Sequence, residues 1–405
     1  MRTLKMLALG MALCHISLAT PPLTPDQFAD CIGNPYTTWD TDCVLQSGDH
    51  PVSSTLFIRR SNITVDGAWP WPMLRRVPGF AGDLMRSDPA YGPSWVTIKN
   101  IYFHGNRWNG ATSYSFELNL SGCSYCQVTS AALFIGSPYM ALGMDPTKPQ
   151  AVSYVNFQGI AYLAIHSGNG PQCPYPAYWY PNVCLNIAGS YFYDSGVNAI
   201  GFDPKNALIS SNTFTGNHST CAYNAPGGQI DLDDWADNVT VQYNTFENGP
   251  ICPNGWWAAG VELHGTNLTL RDNKIRYNAG EGIYMEGAQT VSITSTNPSV
   301  YPIAYNNRKT SGGFPGCGGF PGIRVHSSSG AVRPTQNITI QNLWSISGHS
   351  FGVEVSTCGT VGPPVNYITI LNNCVAGNLQ GGVYAPAAGY PQNINYNYTS
   401  GCGGY

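Results

Sequence analysis

Three kinds of recurring segment predict an all-β fold, a single domain built from stacked three-strand coils. The first is a short strand of period 2, seen at Ser61–Gly67 (SNITVDG) and again from Trp95, Asn238, Asn267, Thr290, Asn337 and Tyr367. The second sets asparagines around one apolar residue, as in Asn212–Asn217 (NTFTGN), Asn244–Asn248 (NTFEN), Asn273–Asn278 (NKIRYN), Asn342–Trp344 and Asn372–Asn378. Asn and Gly tolerate the left-handed backbone of tight bends, so these segments mark strand corners. The third is a strand of the form G-V-x-L-x, at Ala199–Asp203, Gln229–Asp233, Gly260–His264, Gly282–Glu286, Gly322–His326, Gly352–Ser356 and Gly382–Pro386, with Tyr162–His166 an earlier member. Its last residue returns every ~20–40 residues, the period of a solenoid.

Arg2 and Lys5 precede an apolar run, Leu7–Leu18, and small residues at Ser17 and Ala19, so residues 1–19 read as a secretory signal. The product is expected to be exported and soluble, since no later apolar run reaches the ~18 residues that span a bilayer. Residues 20–60, with Cys31 and Cys43, are expected to cover the open end of the stack, and residues 61–405 to form the coils. Long Pro, Gly and aromatic-rich stretches at Gly67–Ser94, Gly168–Val183 and Thr294–Pro321 read as inserts that wall a groove.

Of thirteen cysteines, Cys14 leaves with the signal, and the remaining twelve suit a disulfide-stapled exported protein. Cys221–Cys252, Cys31–Cys43 and Cys173–Cys184 are candidate pairs. Cys123-x-x-Cys126 lacks the second pair or the histidines of a zinc site. With 10% charged residues and a net charge of −4, the chain has no basic patch for nucleic acid. A monomer is expected. The seven Asn-x-Ser/Thr sequons, at Asn62, Asn119, Asn217, Asn238, Asn267, Asn337 and Asn397, are explained as well by the strand openings as by glycosylation.

Segments of these three kinds resemble the right-handed parallel β-helix of the pectate-lyase-like superfamily, over roughly Ser61 to Tyr398. By that resemblance, each coil is three short strands joined by bends.

Strand side chains alternate faces. In the third strands, Ile230/Leu232, Val261/Leu263 and Ile283/Met285 therefore point inward, while Asp231/Asp233, Glu262/His264 and Tyr284/Glu286 share the outer face. Aligned coil on coil, one outer row reads His166, Asp203, Asp233, His264, Glu286, His326, Ser356, and the other Gly201, Asp231, Glu262, Tyr284, Arg324, Glu354, Tyr384. Outer positions of any such stack are polar, but here seven of only 22 acidic residues, Asp203, Asp231, Asp233, Asp234, Glu262, Glu286 and Glu354, gather on one face. Like charges one strand apart raise a carboxyl pKa and make a proton available near neutral pH. That suits glycoside hydrolysis, in which one carboxylic acid protonates the leaving oxygen and another activates water. Carboxyls on diagonal or next-neighbour positions, ~7–9 Å apart, leave room for that water and point to inversion. Trp235, Trp256, Trp257, Tyr284 and Tyr384 beside the stripe are candidates to stack on sugar rings, although any one tryptophan is as readily packing.

The order of groups is also similar to that of the polygalacturonase family. Gly201-Phe-Asp203, Asp233-Asp234, Leu263-His264-Gly265 and Arg324-Val-His326 stand where that family has Asn-Thr-Asp, Asp-Asp, Gly-His-Gly and Arg-x-Lys. The resemblance implies that Asp203 and Asp234 serve the water, Asp233 is the acid, His264 supports them and Arg324 binds substrate. Asp231, Glu262, Tyr284, Glu286, His326, Trp235 and Trp257 complete the expected substrate surface. His326 replaces the lysine that contacts a uronate, so a neutral or mixed polysaccharide fits as well as galacturonan. Phe202-Asp203-Pro204 is similar to the start of the Asp-Pro-His-Glu motif of the mannuronan epimerases, with Lys205-Asn206 in place of His-Glu. A lyase or epimerase is therefore the alternative, with Arg324, His264 and His326, or calcium on Asp231, Asp233 and Glu262, neutralising the uronate. Hydrolysis requires no cofactor. A non-catalytic carbohydrate-binding surface protein is the third reading.

Overall fold

The computed structural model describes residues 21–36, 42–107, 115–145, 147–167, 183–217, 227–250, 258–297, 319–343, 346, 350–359 and 361–400. Among these, strands fall into three sheets of 13, 9 and 12 strands, here A, B and C. Successive strands of the chain enter A, B and C in turn as far as Gln289–Thr294, after which the described strands alternate between A and C, and every strand pairs in parallel with its counterpart one coil away. This is a parallel β-helix.

Alternation explains why these segments stack. In sheet A, Val239, Leu268, Val291, Ile338 and Ile368 lie in register and are at most 2% exposed, with threonines and a serine facing out one residue later. In sheet B six consecutive strands each send one phenylalanine ring inward. Phe103, Phe134, Phe157, Phe192, Phe214 and Phe246 form a continuous stack with centroids 4.6–4.9 Å apart and planes within 9° of parallel. That spacing is the coil repeat itself.

Corners between sheets A and B place Ser211, Tyr243 and Asp272 in the left-handed region, at φ 57, 57 and 52°. The asparagine that follows turns inward: Asn212, Asn244 and Asn273 donate to the carbonyls of Ile187, Ile209 and Val241 at 2.8–2.9 Å. Each side-chain oxygen accepts from the backbone N–H of the coil before, as Asn244 Oδ1 does from Asn212 at 2.9 Å, so these corner amides are satisfied at both nitrogen and oxygen. The recurring glycine that opens the third strand is steric. A Cβ on Gly260 would fall 2.5 Å from Ile275 Cγ2 and 2.6 Å from the Gly282 carbonyl oxygen. Of the seven sequon asparagines, Asn62, Asn238, Asn267 and Asn337 are exposed at left-handed positions where sheet A strands open, whereas Asn119 and Asn217 are buried and Asn397 extends the corner ladder.

Coils begin earlier than residue 61. The strands Asp42–Leu45, Asp49–Val52 and Leu56–Ile58 make a first coil within the stretch assigned to the cap, and the helix Pro25–Gly33 covers its open end with Phe28, Cys31 and Ile32 buried. Thr24 caps this helix through a capping box with Gln27. Gly67–Ser94, expected as an insert, is another coil. Met73–Arg76 joins sheet B and Met85–Ser87 joins sheet C, anchored by buried Leu74 and Met85 that the surrounding Pro and Trp residues disguise.

Cys31–Cys43 is a disulfide, as is Cys123–Cys126, which therefore is no zinc site. Cys184 is also disulfide-bonded, while Cys173, Cys221 and Cys252 lie outside the described residues. No helix among the described residues is long and apolar enough to cross a membrane.

Candidate active site

Sheet C fixes the outer rows. Its register sets Gly201, Asp231, Glu262, Tyr284, Arg324, Glu354 and Tyr384 side by side, and Glu286, His326 and Ser356 likewise two residues on. Asp203, Asp233 and His264 each follow directly on paired strand ends, Phe202, Leu232 and Leu263. His166 departs from expectation: it pairs with Gly201 and so belongs to the Asp231 row, two residues from the position read in sequence. It packs against Phe116, and burial lowers its pKa.

At the strand ends the backbone N–H of Trp235 donates to Asp203 Oδ1 at 3.0 Å, tying the Asp203 carboxyl to the turn that carries Asp233 and Asp234. Asp233 Oδ1 accepts from the backbone of Asp234 at 2.8 Å. Burial raises the Asp203 pKa, and the charges of Asp233 and Asp234 add to the rise against the Trp235 hydrogen bond and Lys205. Asp233 and Trp235 are exposed and Asp234 is half-buried. Trp257 lies outside the described residues.

One layer in, Asp231, Glu262 and His264 have oxygen and nitrogen atoms within 4.8 Å of one another. Burial pushes the Asp231 carboxyl well above the usual range, reinforced by the Glu262 charge. Its Oδ2 lies 3.4 Å from the Asn198 amide, whose nitrogen can instead turn to the Gly228 and Val197 carbonyls at 2.8 and 2.9 Å. Turned so, Asn198 offers its oxygen to a protonated Asp231. His264 is held at both nitrogens: Nδ1 donates to the Glu286 carbonyl at 2.9 Å, and Nε2 lies 3.2 Å from Glu262 Oε1. Burial opposes its charge, but the Glu262 hydrogen bond and the charges of Glu262, Asp231 and Glu286 win and push the imidazole up to about 10. The calcium set expected from sequence included Asp233. The set the fold brings together has His264 in its place, and an imidazole suits a transition metal better than calcium, which takes oxygen ligands.

Next along the face, the Tyr284 hydroxyl donates to Glu286 Oε2 at 2.7 Å and lies 2.8 Å from His326 Nδ1. Burial and the Glu286 charge keep the phenol protonated. Its single proton serves Glu286, so His326 Nδ1 is the donor in the second contact. Burial acts against the Glu286 charge, yet hydrogen bonds from His326 and Tyr284 and the charges of both histidines bring its pKa down to about 2.

Arg324 was expected to hold substrate. Its guanidinium is fully buried instead, with Nε donating to Glu281 Oε1 at 2.7 Å, Nη1 to Glu354 Oε1 at 3.0 Å and Nη2 to the Gly319 carbonyl at 2.5 Å. Tyr284 and His326 are also buried, at 5% and 2% exposure. Glu281 and Asn198 were not singled out from sequence. Both precede the alternating stretch, where periodicity gives no signal.

Fold and site together define a right-handed parallel β-helix that carries a cluster of ionisable groups on the outer face of sheet C. The family model described as "right handed beta helix region" matches residues 145–312. No curated protein matches the chain. Among solved structures, it is similar to the mannuronan C-5 epimerase AlgE4 A-module of Azotobacter vinelandii, at 14% identity over 87% of this chain and 90% of that one, with a TM-score of 0.60. PfbA, a surface adhesin of Streptococcus pneumoniae, matches at 14% identity over 88% and 85%, with a TM-score of 0.55. An exopolygalacturonase from Thermotoga maritima matches at 12% identity over 84% and 80%, with a TM-score of 0.50. At these identities the likeness is one of fold.

Proposed function

We propose that this protein is an exported glycoside hydrolase acting on a polysaccharide, with the carboxyls at the ends of the sheet C strands as its catalytic groups. The observation that carries this reading is the Trp235 N–H to Asp203 hydrogen bond, which ties a half-buried carboxyl with a raised pKa to the turn bearing two further carboxyls. Protonated Asp203 would give its proton to the leaving oxygen, and Asp233 with Asp234 would seat and deprotonate the attacking water. This moves the acid from Asp233, where the polygalacturonase resemblance puts it, to the carboxyl whose surroundings favour holding a proton. Two carboxylates around one water suit inversion. His264, as an imidazolium, would offset the negative charge beneath them.

Fold likeness to an epimerase and an exopolygalacturonase supports a carbohydrate ligand, and the Cys31–Cys43 and Cys123–Cys126 disulfides support export. The test is turnover of a polysaccharide panel by the purified protein, following reducing ends and absorbance near 235 nm together, with the product anomer read by NMR. Reducing ends of inverted configuration without new absorbance are expected. Absorbance that rises with the reducing ends would mean elimination and would sink the proposal.

A further inference from the structure

Resting on that reading, we infer that the glycan recognised at this face is uncharged, with Trp235 as the ring against which one of its sugars packs. A uronate-bearing chain brings a carboxylate per charged residue and needs a cation to meet it. Arg324, the obvious candidate on this face, is spent: Glu281 and Glu354 hold it on two sides, the Gly319 carbonyl on a third, and none of it reaches solvent. His264 points its two nitrogens at Glu262 and at the Glu286 carbonyl, and His326 faces Tyr284 and Glu286.

What the described residues of the face present outward is predominantly acidic: the charges of Asp233 and Asp234 at Asp203 outweigh that of Lys205, the one ammonium that acts on it. Asp203, Asp233 and Asp234 crowd the strand ends, and Glu286 keeps its negative charge through two hydrogen-bonding neighbours. A polyanion laid here meets repulsion at short range, whereas neutral hydroxyls find acceptors that bond without a charge penalty. Trp235 supplies the apolar half of such a surface. The residue is 55% exposed, and its backbone N–H is bound to Asp203, so its main chain is anchored beside the carboxyls while its ring stays open to solvent. Exposed aromatic rings beside a polar site pack well against the C–H face of a pyranose.

The test is affinity electrophoresis of the full chain through gels containing neutral glycans, uronate polymers, or the same uronate polymers after chemical reduction of their carboxyls. Runs are made at low and high salt, with chelator and with calcium, and reducing ends are followed in parallel. At least one neutral glycan should retard the protein, uronate polymers should bind at least tenfold more weakly at low salt, and Trp235→Ala should weaken neutral binding about three- to tenfold. Tighter binding to a uronate polymer than to every neutral one overturns the inference, and so does uronate binding restored by calcium. Retardation by no neutral glycan also overturns it. Neutral binding without product would sink hydrolysis and leave this inference standing, while cleavage of uronate polymers would do the reverse.

Discussion

Arg324 and Glu281 meet at 2.7 Å with both side chains sealed from solvent, a charge pair inside the wall of the helix and not on its working surface. Taking away one partner strands the other. Arg324→Met should therefore lower unfolding free energy by about 3–5 kcal/mol, since Glu281 and Glu354 stay behind uncompensated. Urea denaturation measures this, and a loss under about 1 kcal/mol would show that the pair is not desolvated. The triple change Arg324→Met with Glu281→Gln and Glu354→Gln should recover much of the loss.

Asp203→Asn should reduce turnover by about 10²–10⁴-fold without lowering the unfolding midpoint, because it removes a proton donor but no core contact and relieves a carboxyl whose raised folded pKa costs stability once ionised. Initial rates and thermal denaturation on the same preparation check both halves. The alkaline limb of the wild-type pH–rate profile reports Asp203, whose raised pKa places it above that of an ordinary aspartate, and this limb should vanish from any residual activity of the variant.

His264 gives a signed pH dependence. Its folded pKa, about 10, lies above the ordinary histidine value near 6.5. Its contribution to stability is thus complete below about pH 6.5 and drains away as pH rises through about 10. The deficit of His264→Gln relative to wild type, about 3 kcal/mol at pH 6, should shrink steadily toward pH 10. A pH-independent deficit would show that the ring is held neutral.

Asp231 works in the opposite sense. A carboxyl whose pKa is raised in the folded state costs stability above that value and costs nothing below the unfolded value near 3.9. Asp231→Asn should accordingly stabilise the protein at pH 7, by about 1–2 kcal/mol, and make no difference at pH 3. Chemical denaturation at the two pH values is the check.

Phe157 sits between Phe134 and Phe192 in the sheet B stack, fully buried. Phe157→Ala should cost about 3–5 kcal/mol, and Phe157→Leu clearly less, because the stack cannot close over a missing ring. Equal losses would mean that ring stacking adds nothing to burial.

Much of the fold was legible because each strand kind repeats with its inward residues in fixed phase. The row Asp231, Glu262, Tyr284, Arg324, Glu354 was read in register from sequence and recurs in the pairing. His166 was misplaced by two residues, an error that alternation cannot detect: a shift of two keeps every side chain on its own face, and Leu163, Ile165 and Ser167 fit either alignment. Arg324 was rightly placed outward but wrongly left exposed, because the cover over it comes from Gly319 and from Glu281, which periodicity does not position. For the same reason the protonation order of the carboxyls was not readable. It depends on burial and on single contacts such as Trp235 with Asp203.

The cap has a consequence for association. Leu23 lies alongside the first sheet A strand, its N–H bonded to the Val44 carbonyl at 2.7 Å and its carbonyl to the Gln46 N–H at 3.0 Å, and the helix Pro25–Gly33 closes the space beside it. A stack of parallel strands is otherwise an open template, able to take a rung from any molecule with the same repeat. Because Leu23 already fills that place, a neighbouring copy would have to displace it to extend sheet A from this end.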